Sequence, residues 1–316
     1  MALLRLCARH ARWLLVAGLV LGIALPDLTR AVRPWLPELV ALMLFVAALR
    51  IGPKAALGAL ATLPRTLAVV LVFQLAAPLA VLGLCIALGV ADSPVALALV
   101  LLCAAAPLAG SPNLALLVGG DPAPALRLLI LGTALLPLTA LPVLALMPDL
   151  GDPALLRAAV LRLLATIAGA TALAFGLRAL LPEPTLRQVQ ALDGASALVM
   201  TVLVLGLMSA MAPALRDDPL ALLAWLALAF AANLGPQLLV GDLLARRGAR
   251  DGLHATALIA GNRNIALFLV ALPPEVTAKL LLFIGCYQIP MYLTPLLLPR
   301  LYRRFDARAS IPRPVR

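Results

Sequence analysis

The chain has little of what a soluble enzyme or a nucleic-acid binder displays. Aromatic residues make up 4% and charged residues 12% of its 316 positions. Acidic residues number 14 against 25 Lys and Arg, a formal net charge of +11. A basic nucleic-acid binder patches its charge and interleaves stacking aromatics. Here the Arg residues are scattered between apolar runs, so no nucleic-acid partner is expected. The two histidines, His10 and His254, lie far apart. The four cysteines, Cys7, Cys85, Cys103 and Cys286, form no C-x-x-C pair. Metal sites need clustered ligands, so neither a metal nor a cofactor is predicted. No acid–base pair or nucleophile motif lies within the apolar segments, which argues against an enzyme. A cleavage site is also lacking. Arg5, Arg9 and Arg12 precede an apolar stretch, Trp13 to Leu25, that resembles a signal peptide. It ends in Ala24-Leu25-Pro26-Asp27 with no small-x-small pattern, so it reads as a retained first helix.

What the chain has is apolar length. Hydrophobic residues make up 64% of it, and its mean hydropathy is +1.07. No soluble domain of this size hides that much apolar surface. The hydropathy predicts an all-α polytopic membrane protein with ten transmembrane helices, each near the roughly 20 residues a bilayer requires. The predicted spans are 11–26, 36–49, 67–90, 95–118, 123–147, 154–181, 192–212, 220–240, 253–272 and 276–299. Turn residues mark the joints, among them Pro34, Pro37, Asp92-Ser93-Pro94, Asp121-Pro122, Asp149 to Pro153, Asp217 to Pro219 and Pro273-Pro274. No linker is long enough for a separate domain, so residues 1–316 read as one membrane domain.

Charge sets the expected orientation. On the N-terminal side fall Arg5, Arg9, Arg12, Arg50, Lys54, Arg65, Arg127, Arg178, Arg187, Arg246, Arg247, Arg250, Arg300, Arg303, Arg304, Arg308, Arg313 and Arg316. On the opposite side fall Arg30, Arg33, Arg157, Arg162, Arg216 and Lys279. The excess predicts both termini in the cytoplasm of an inner-membrane protein. Ten spans divide into two five-helix halves, about 1–150 and 151–316. An odd number per half inverts the second copy, so the expected architecture is an inverted repeat.

Two polar interruptions carry the functional reading. Gly110-Ser111-Pro112-Asn113 lies in the fourth span and Gly261-Asn262-Arg263-Asn264 in the ninth. Broken backbone at membrane depth is tolerated only where it lines a buried cavity, and paired breaks in two halves mark a secondary transporter's site. The expected breaks are Ser111–Asn113 and Gly261–Asn264, in discontinuous helices that cross. Arg263 is the sharpest residue, because a charge at mid-membrane costs between about 2.5 and about 17 kcal/mol. It reads either as a substrate or ion site or as a clasp for carbonyls freed where the helices cross. Pro112 and Pro107 weaken the fourth span, and freed amides beside Asn113 would suit a carboxylate. Gln74, four residues before Pro78, reads as a site residue or as glue between helices. Asn233 and Gln237 read as packing or cavity-lining residues.

With these residues in view, the chain resembles the bile acid:sodium symporter family and its wider bile/arsenite/riboflavin transporter superfamily. Pro107-Leu108-Ala109-Gly110-Ser111-Pro112-Asn113 resembles the family's proline-to-Ser-Asn stretch. Ile259 to Asn264 resembles its Glu-x-Gly-x-Gln-Asn stretch, and Gln74 resembles its helix-three glutamine. The resemblance implies a panel-like group of helices that moves against a core of helices three, four, five, eight, nine and ten. In the sodium-coupled members the Glu, Gln and Ser-Asn positions supply sodium ligands. Here Ile259, Arg263 and Pro112 stand at the Glu, Gln and Ser positions. A guanidinium has five donors and no acceptor, so sodium is not expected in this pocket. The expected function is secondary transport of a small or amphipathic organic anion, without sodium coupling. Its expected binding residues are Arg263, Asn264, Asn262, Asn113, Ser111, Pro112 and Gln74. The alternatives are an arsenite or other oxyanion permease, for which Cys103 in the fourth span is the candidate thiol, and a membrane ligand sensor that does not transport.

Overall fold

The computed structural model describes residues 1–58, 63–148 and 150–309. The predicted turn residue Asp149, and Arg313 and Arg316 of the charge count, lie outside the described residues. Among the described residues the chain is all-helical, with no strand. In order the helices are α1 (Ala2–Arg9), α2 (Ala11–Ala24), α3 (Pro26–Val32), α4 (Leu36–Gly58), α5 (Leu63–Leu71), α6 (Ala77–Ala87), α7 (Pro94–Ala104), α8 (Ser111–Leu117) and α9 (Pro122–Leu146). They continue with α10 (Pro153–Leu180), α11 (Leu186–Leu207), α12 (Met211–Asp217), α13 (Pro219–Arg246), α14 (Leu253–Gly261), α15 (Phe268–Ala271), α16 (Pro274–Leu297) and α17 (Pro299–Ala309). A π-helical turn, Val72–Ala76, joins α5 to α6.

Seven of the described helical stretches are long and apolar enough to cross a bilayer, and an eighth if α1 and α2 count as one bent pair. This makes the chain a multi-pass membrane protein. Two of the ten predicted spans are not continuous helices. Residues 95–118 are divided between α7 and α8, and residues 253–272 between α14 and α15. Each is broken at or within a few residues of the Gly-, Pro- and Asn-containing stretch marked in the sequence.

The joints between helices are local chemistry. Ser93, Asp121, Asp152 and Asp218 each precede a proline, and each side chain accepts a backbone N–H of the first turn. The acceptor satisfies one orphan donor, and proline's fixed φ suits the first helical position. Thr185 and Gln188 form a reciprocal capping box at the start of α11. In α4 the helical run ends at Gly52, whose φ is +73°, immediately before Pro53. Only glycine adopts that conformation without a Cβ penalty.

The helices pack as two groups. In one, α4 lies against α10 and α11, and α11 also carries α1 and α2. In the other, α13 packs against α14 and α16, and α9 packs against α5, α7 and α8. The groups meet where α10 lies on α9 and α15, and where α16 lies on the turn 208–210.

Candidate functional site

The two interruptions meet in space, and the prolines explain how. Pro107 cannot donate to a helical carbonyl, and it pushes its predecessor into extended backbone. Helix α7 stops at Ala104, and Ala105, two residues before Pro107, is already extended with φ −62° and ψ 152°. Residues 105–110 are non-helical, and α8 begins at Ser111. The expected break at Ser111–Asn113 is therefore corrected. Pro112 sits in the first turn of α8, where its missing N–H costs nothing, and Pro107 makes the break. In the second interruption α14 ends at Gly261, and Asn262 to Asn264 leave the helix before a short 3₁₀ turn, Ile265–Leu267.

Each freed strand finds its donors in the other. The Leu108 N–H donates to the Asn262 carbonyl at 3.1 Å, and the Asn264 N–H donates to the Ala106 carbonyl at 2.8 Å. Pro107 and Arg263 thus face each other in an antiparallel bridge. Two extended backbones at the centre of an apolar bundle satisfy one another, as buried polar groups must.

Arg263 occupies this crossing and is buried. Its Nη1 donates to the Ala105 carbonyl at 3.1 Å, and its Nη2 donates to the Phe73 carbonyl at 3.2 Å. Its guanidinium carbon lies 4.9 Å from the centre of the Phe73 ring, within cation–π range. Both carbonyls are free for a reason. Ala105 has left the helix. Phe73 lies in a π turn, in which the Ala77 N–H bonds back to the Val72 carbonyl. The next donor in that register would be Pro78, which has none. The carboxyl end of α7 also presents a partial negative charge to the guanidinium. No carboxylate pairs with Arg263 among the described residues, so the charge rests on carbonyl dipoles and a ring. Its Nε has no hydrogen-bond partner.

The second interruption is braced from behind. Asn233 Nδ2 donates to the Gly261 carbonyl at 2.5 Å, and the Tyr287 hydroxyl donates to the same oxygen. That hydroxyl also accepts the Arg263 N–H at 3.2 Å. Gln237 Nε2 donates to Asn233 Oδ1 at 2.9 Å, as does the Thr294 hydroxyl at 3.2 Å. A Cβ on Gly261 would lie 1.8 Å from the Asn233 carbonyl oxygen, so only glycine allows α13 to approach this closely.

The predicted site residues separate into groups. Asn262, Arg263 and Asn264 lie together at the crossing, and all are buried. Asn262 Nδ2 donates to the Leu258 carbonyl of its own helix at 2.9 Å. Ser111 and Pro112 are buried at the start of α8, and the Ser111 hydroxyl donates to the Leu108 carbonyl at 2.6 Å. Gln74 is fully buried, donates to the Gly132 carbonyl at 3.0 Å and accepts from the Thr139 hydroxyl at 3.2 Å. It joins the π turn to α9 one residue from the Phe73 carbonyl. Asn113 is not with the others. It is exposed, and its Oδ1 accepts from Arg50 at 3.3 Å. Arg50 is in turn ion-paired with Asp193.

Residues not singled out from the sequence also shape the site. Phe73 and Ala105 act through backbone carbonyls, which their own side chains do not signal; only Pro78, which removes the donor to the Phe73 carbonyl, is a sequence clue to them. Tyr287 did leave a signal. The chain has three tyrosines, and all of them, Tyr287, Tyr292 and Tyr302, fall in its last stretch. Beside the crossing lies a narrow cleft lined by Met43 of α4, Met200, Leu203 and Leu207 of α11, Met291 and Gln288 of α16, and Leu108 with Arg263 to Ala266. It holds room for about one water molecule. Among the described residues no cluster of His, Cys, Asp or Glu could hold a metal ion. Neither a protein family nor a curated protein sequence matches this chain.

Proposed function

We propose that this protein is a secondary transporter of ten spans in two inverted five-helix halves, and that it moves a small or amphipathic organic anion without sodium. The observation that carries this reading is the Arg263 guanidinium at the paired interruptions, bonded to carbonyls from two other segments. A guanidinium held there is a tethered cation. It supplies the positive charge that a bound sodium ion supplies in the family the sequence resembles, and it leaves no acceptor for such an ion. Interrupted helices that pair at the centre of an apolar bundle are the usual architecture of an alternating-access site.

The cleft beside the crossing suits the substrate class. Methionines and leucines from α4 and α11 offer an adaptable apolar wall. Asn264, Gln288 and Arg263 line the same cleft and give it polar groups beside that wall. With its Nη atoms committed to carbonyls and its Nε buried, Arg263 acts on the anion through its field. The closed cleft corresponds to a state in which the α4–α11 group sits down on the crossing. Its movement away would open the binding space, in line with a panel moving against a core. The charge asymmetry of the loops supports an orientation with both termini in the cytoplasm of an inner-membrane protein.

A second reading keeps the architecture and changes the cargo to an inorganic oxyanion. Cys103, in the last turn of α7, lies two residues before the Ala105 carbonyl that Arg263 holds, which favours a thiol-assisted site. The test is a thermal-shift screen of the purified protein against organic anions and oxyanions, followed by uptake into proteoliposomes. Stabilisation by organic carboxylates or sulfonates that survives Cys103→Ser supports the first reading. Stabilisation by oxyanions alone that is lost in Cys103→Ser supports the second. Binding without any flux would identify a sensor instead.

A further inference from the structure

The C-terminal helix α17 divides sharply into two faces. Tyr302, Phe305 and Ala309 are buried against the bundle. Arg300, Arg303 and Arg304 are exposed, and at 100° per residue they share an arc of about 100° on the opposite side. None of the three has a partner among the described residues. The neighbouring charges are already engaged. Arg308 and Arg246 both bond Asp242, and the one carboxylate of α17, Asp306, is held by His254 at 2.8 Å. The outer face is thus cationic without internal neutralisation.

Its position identifies what neutralises it. Only Leu298 separates α17 from α16, a helix of membrane-spanning length. Leu296 and Leu297, 71% and 51% exposed, turn apolar surface outward just before Arg300. Over the nine residues from Leu296 to Arg304 the surface passes from outward-facing leucines to three free guanidinium groups. That sequence of chemistries matches the passage from acyl chains to phosphate at a bilayer surface. We propose that the Arg300–Arg303–Arg304 face of α17 binds the headgroups of anionic phospholipids. The inference rests on the membrane reading of the helices and not on what the crossing transports.

The same helix is wired to the crossing. The Tyr302 hydroxyl donates to Gln237 Oε1 at 3.0 Å, Gln237 donates to Asn233, and Asn233 donates to the Gly261 carbonyl. Lipid held on the outer face therefore fixes the helix whose inner face braces the second interruption.

The test uses the full-length protein in zwitterionic detergent micelles doped with phosphatidylglycerol or phosphatidylcholine, read by thermal unfolding and by native mass spectrometry of retained lipid. Each basic side chain at an anionic surface gives about a fivefold preference, so three give roughly a hundredfold. Phosphatidylglycerol raises the melting temperature and is retained, whereas phosphatidylcholine and inorganic phosphate do neither. Arg300→Gln, Arg303→Gln and Arg304→Gln together abolish both effects. The corresponding triple Lys variant keeps them, as does Arg187→Gln, a control at another exposed arginine. The proposal is overturned if the Gln variant retains the lipid and its shift, if the Lys variant loses them, or if inorganic phosphate alone reproduces the shift.

Discussion

Replacing Arg263 with methionine removes the guanidinium and keeps most of the side-chain length. Two buried carbonyls, of Ala105 and Phe73, then lose their donors. Leaving a buried acceptor unsatisfied costs about 1–3 kcal/mol, so the pair costs about 2–6 kcal/mol. The cation–π contact with Phe73 adds about 0.5–2 kcal/mol to the loss. Part of this is offset, because a buried charge without a counter-ion is no longer desolvated. Arg263→Lys keeps a cationic donor that extends about as far as the guanidinium carbon and can serve one of the two carbonyls, so its loss should be about half as large. At about 2 °C per kcal/mol, the Met variant should melt on the order of 4–12 °C lower, and the Lys variant should fall between it and wild type. The assay is thermal unfolding of detergent-purified protein, paired with anion binding at a temperature where each variant is folded. The reasoning is refuted if Arg263→Met melts with wild type. It is also refuted if the stability loss is the same in Met and Lys variants, since counting carbonyls predicts a graded series.

Three further outcomes follow from the same geometry. Gly261→Ala would place a methyl 1.8 Å from the Asn233 carbonyl oxygen and should prevent accumulation of folded protein, whereas Gly58→Ala, with no atom within 4 Å, should leave the yield unchanged in size-exclusion profiles. Gln74→Leu removes the donor to the Gly132 carbonyl and the acceptor for Thr139, so it should lower the melting temperature by about 1–3 kcal/mol worth of stability and leave anion affinity intact; a large affinity loss at normal stability would instead make Gln74 a substrate ligand. In the exposed loop before α11, the hydrogen bond and charge of Lys54, and then the charge of Arg178, hold the Glu183 carboxyl below the usual carboxylate range. A lowered folded pKa means a contribution present above the ordinary carboxylate pKa and lost as pH falls through the lowered one. Lys54→Met should therefore remove most of the Glu183-linked stability above the ordinary carboxylate pKa, and with it the loss on acidification, so its melting curves should differ from wild type at neutral pH and converge with them in acid.

Much of this arrangement is legible in the residues, and the remainder is illegible for identifiable reasons. Ser93-Pro94, Asp121-Pro122 and Asp218-Pro219 are complete local signals, because cap and proline act within one turn. The interruptions are legible as Gly, Pro and Asn inside apolar segments. Which proline breaks the first segment is not, since Pro107 and Pro112 look alike until the pairing of Leu108 with Asn262 favours one of them. That shift of a few residues also turns Asn113 outward to Arg50, away from Arg263. The partners of Arg263 are backbone carbonyls, and any residue carries one. Pro78 was the readable clue to the Phe73 carbonyl, because it removes the donor that a π turn would use. Gln74 was readable as a buried amide, but its partners across α9 depend on packing.

The most direct measurement is initial uptake, in proteoliposomes of the full-length protein, of the organic anion that most raises its melting temperature. The external medium holds either sodium or an equal concentration of potassium, with no gradient of any other ion. With the Arg263 charge fixed at the crossing, the two rates should be equal, and Arg263→Met should lose uptake in both media. Uptake that requires an inward sodium gradient would contradict the tethered-cation reading of Arg263.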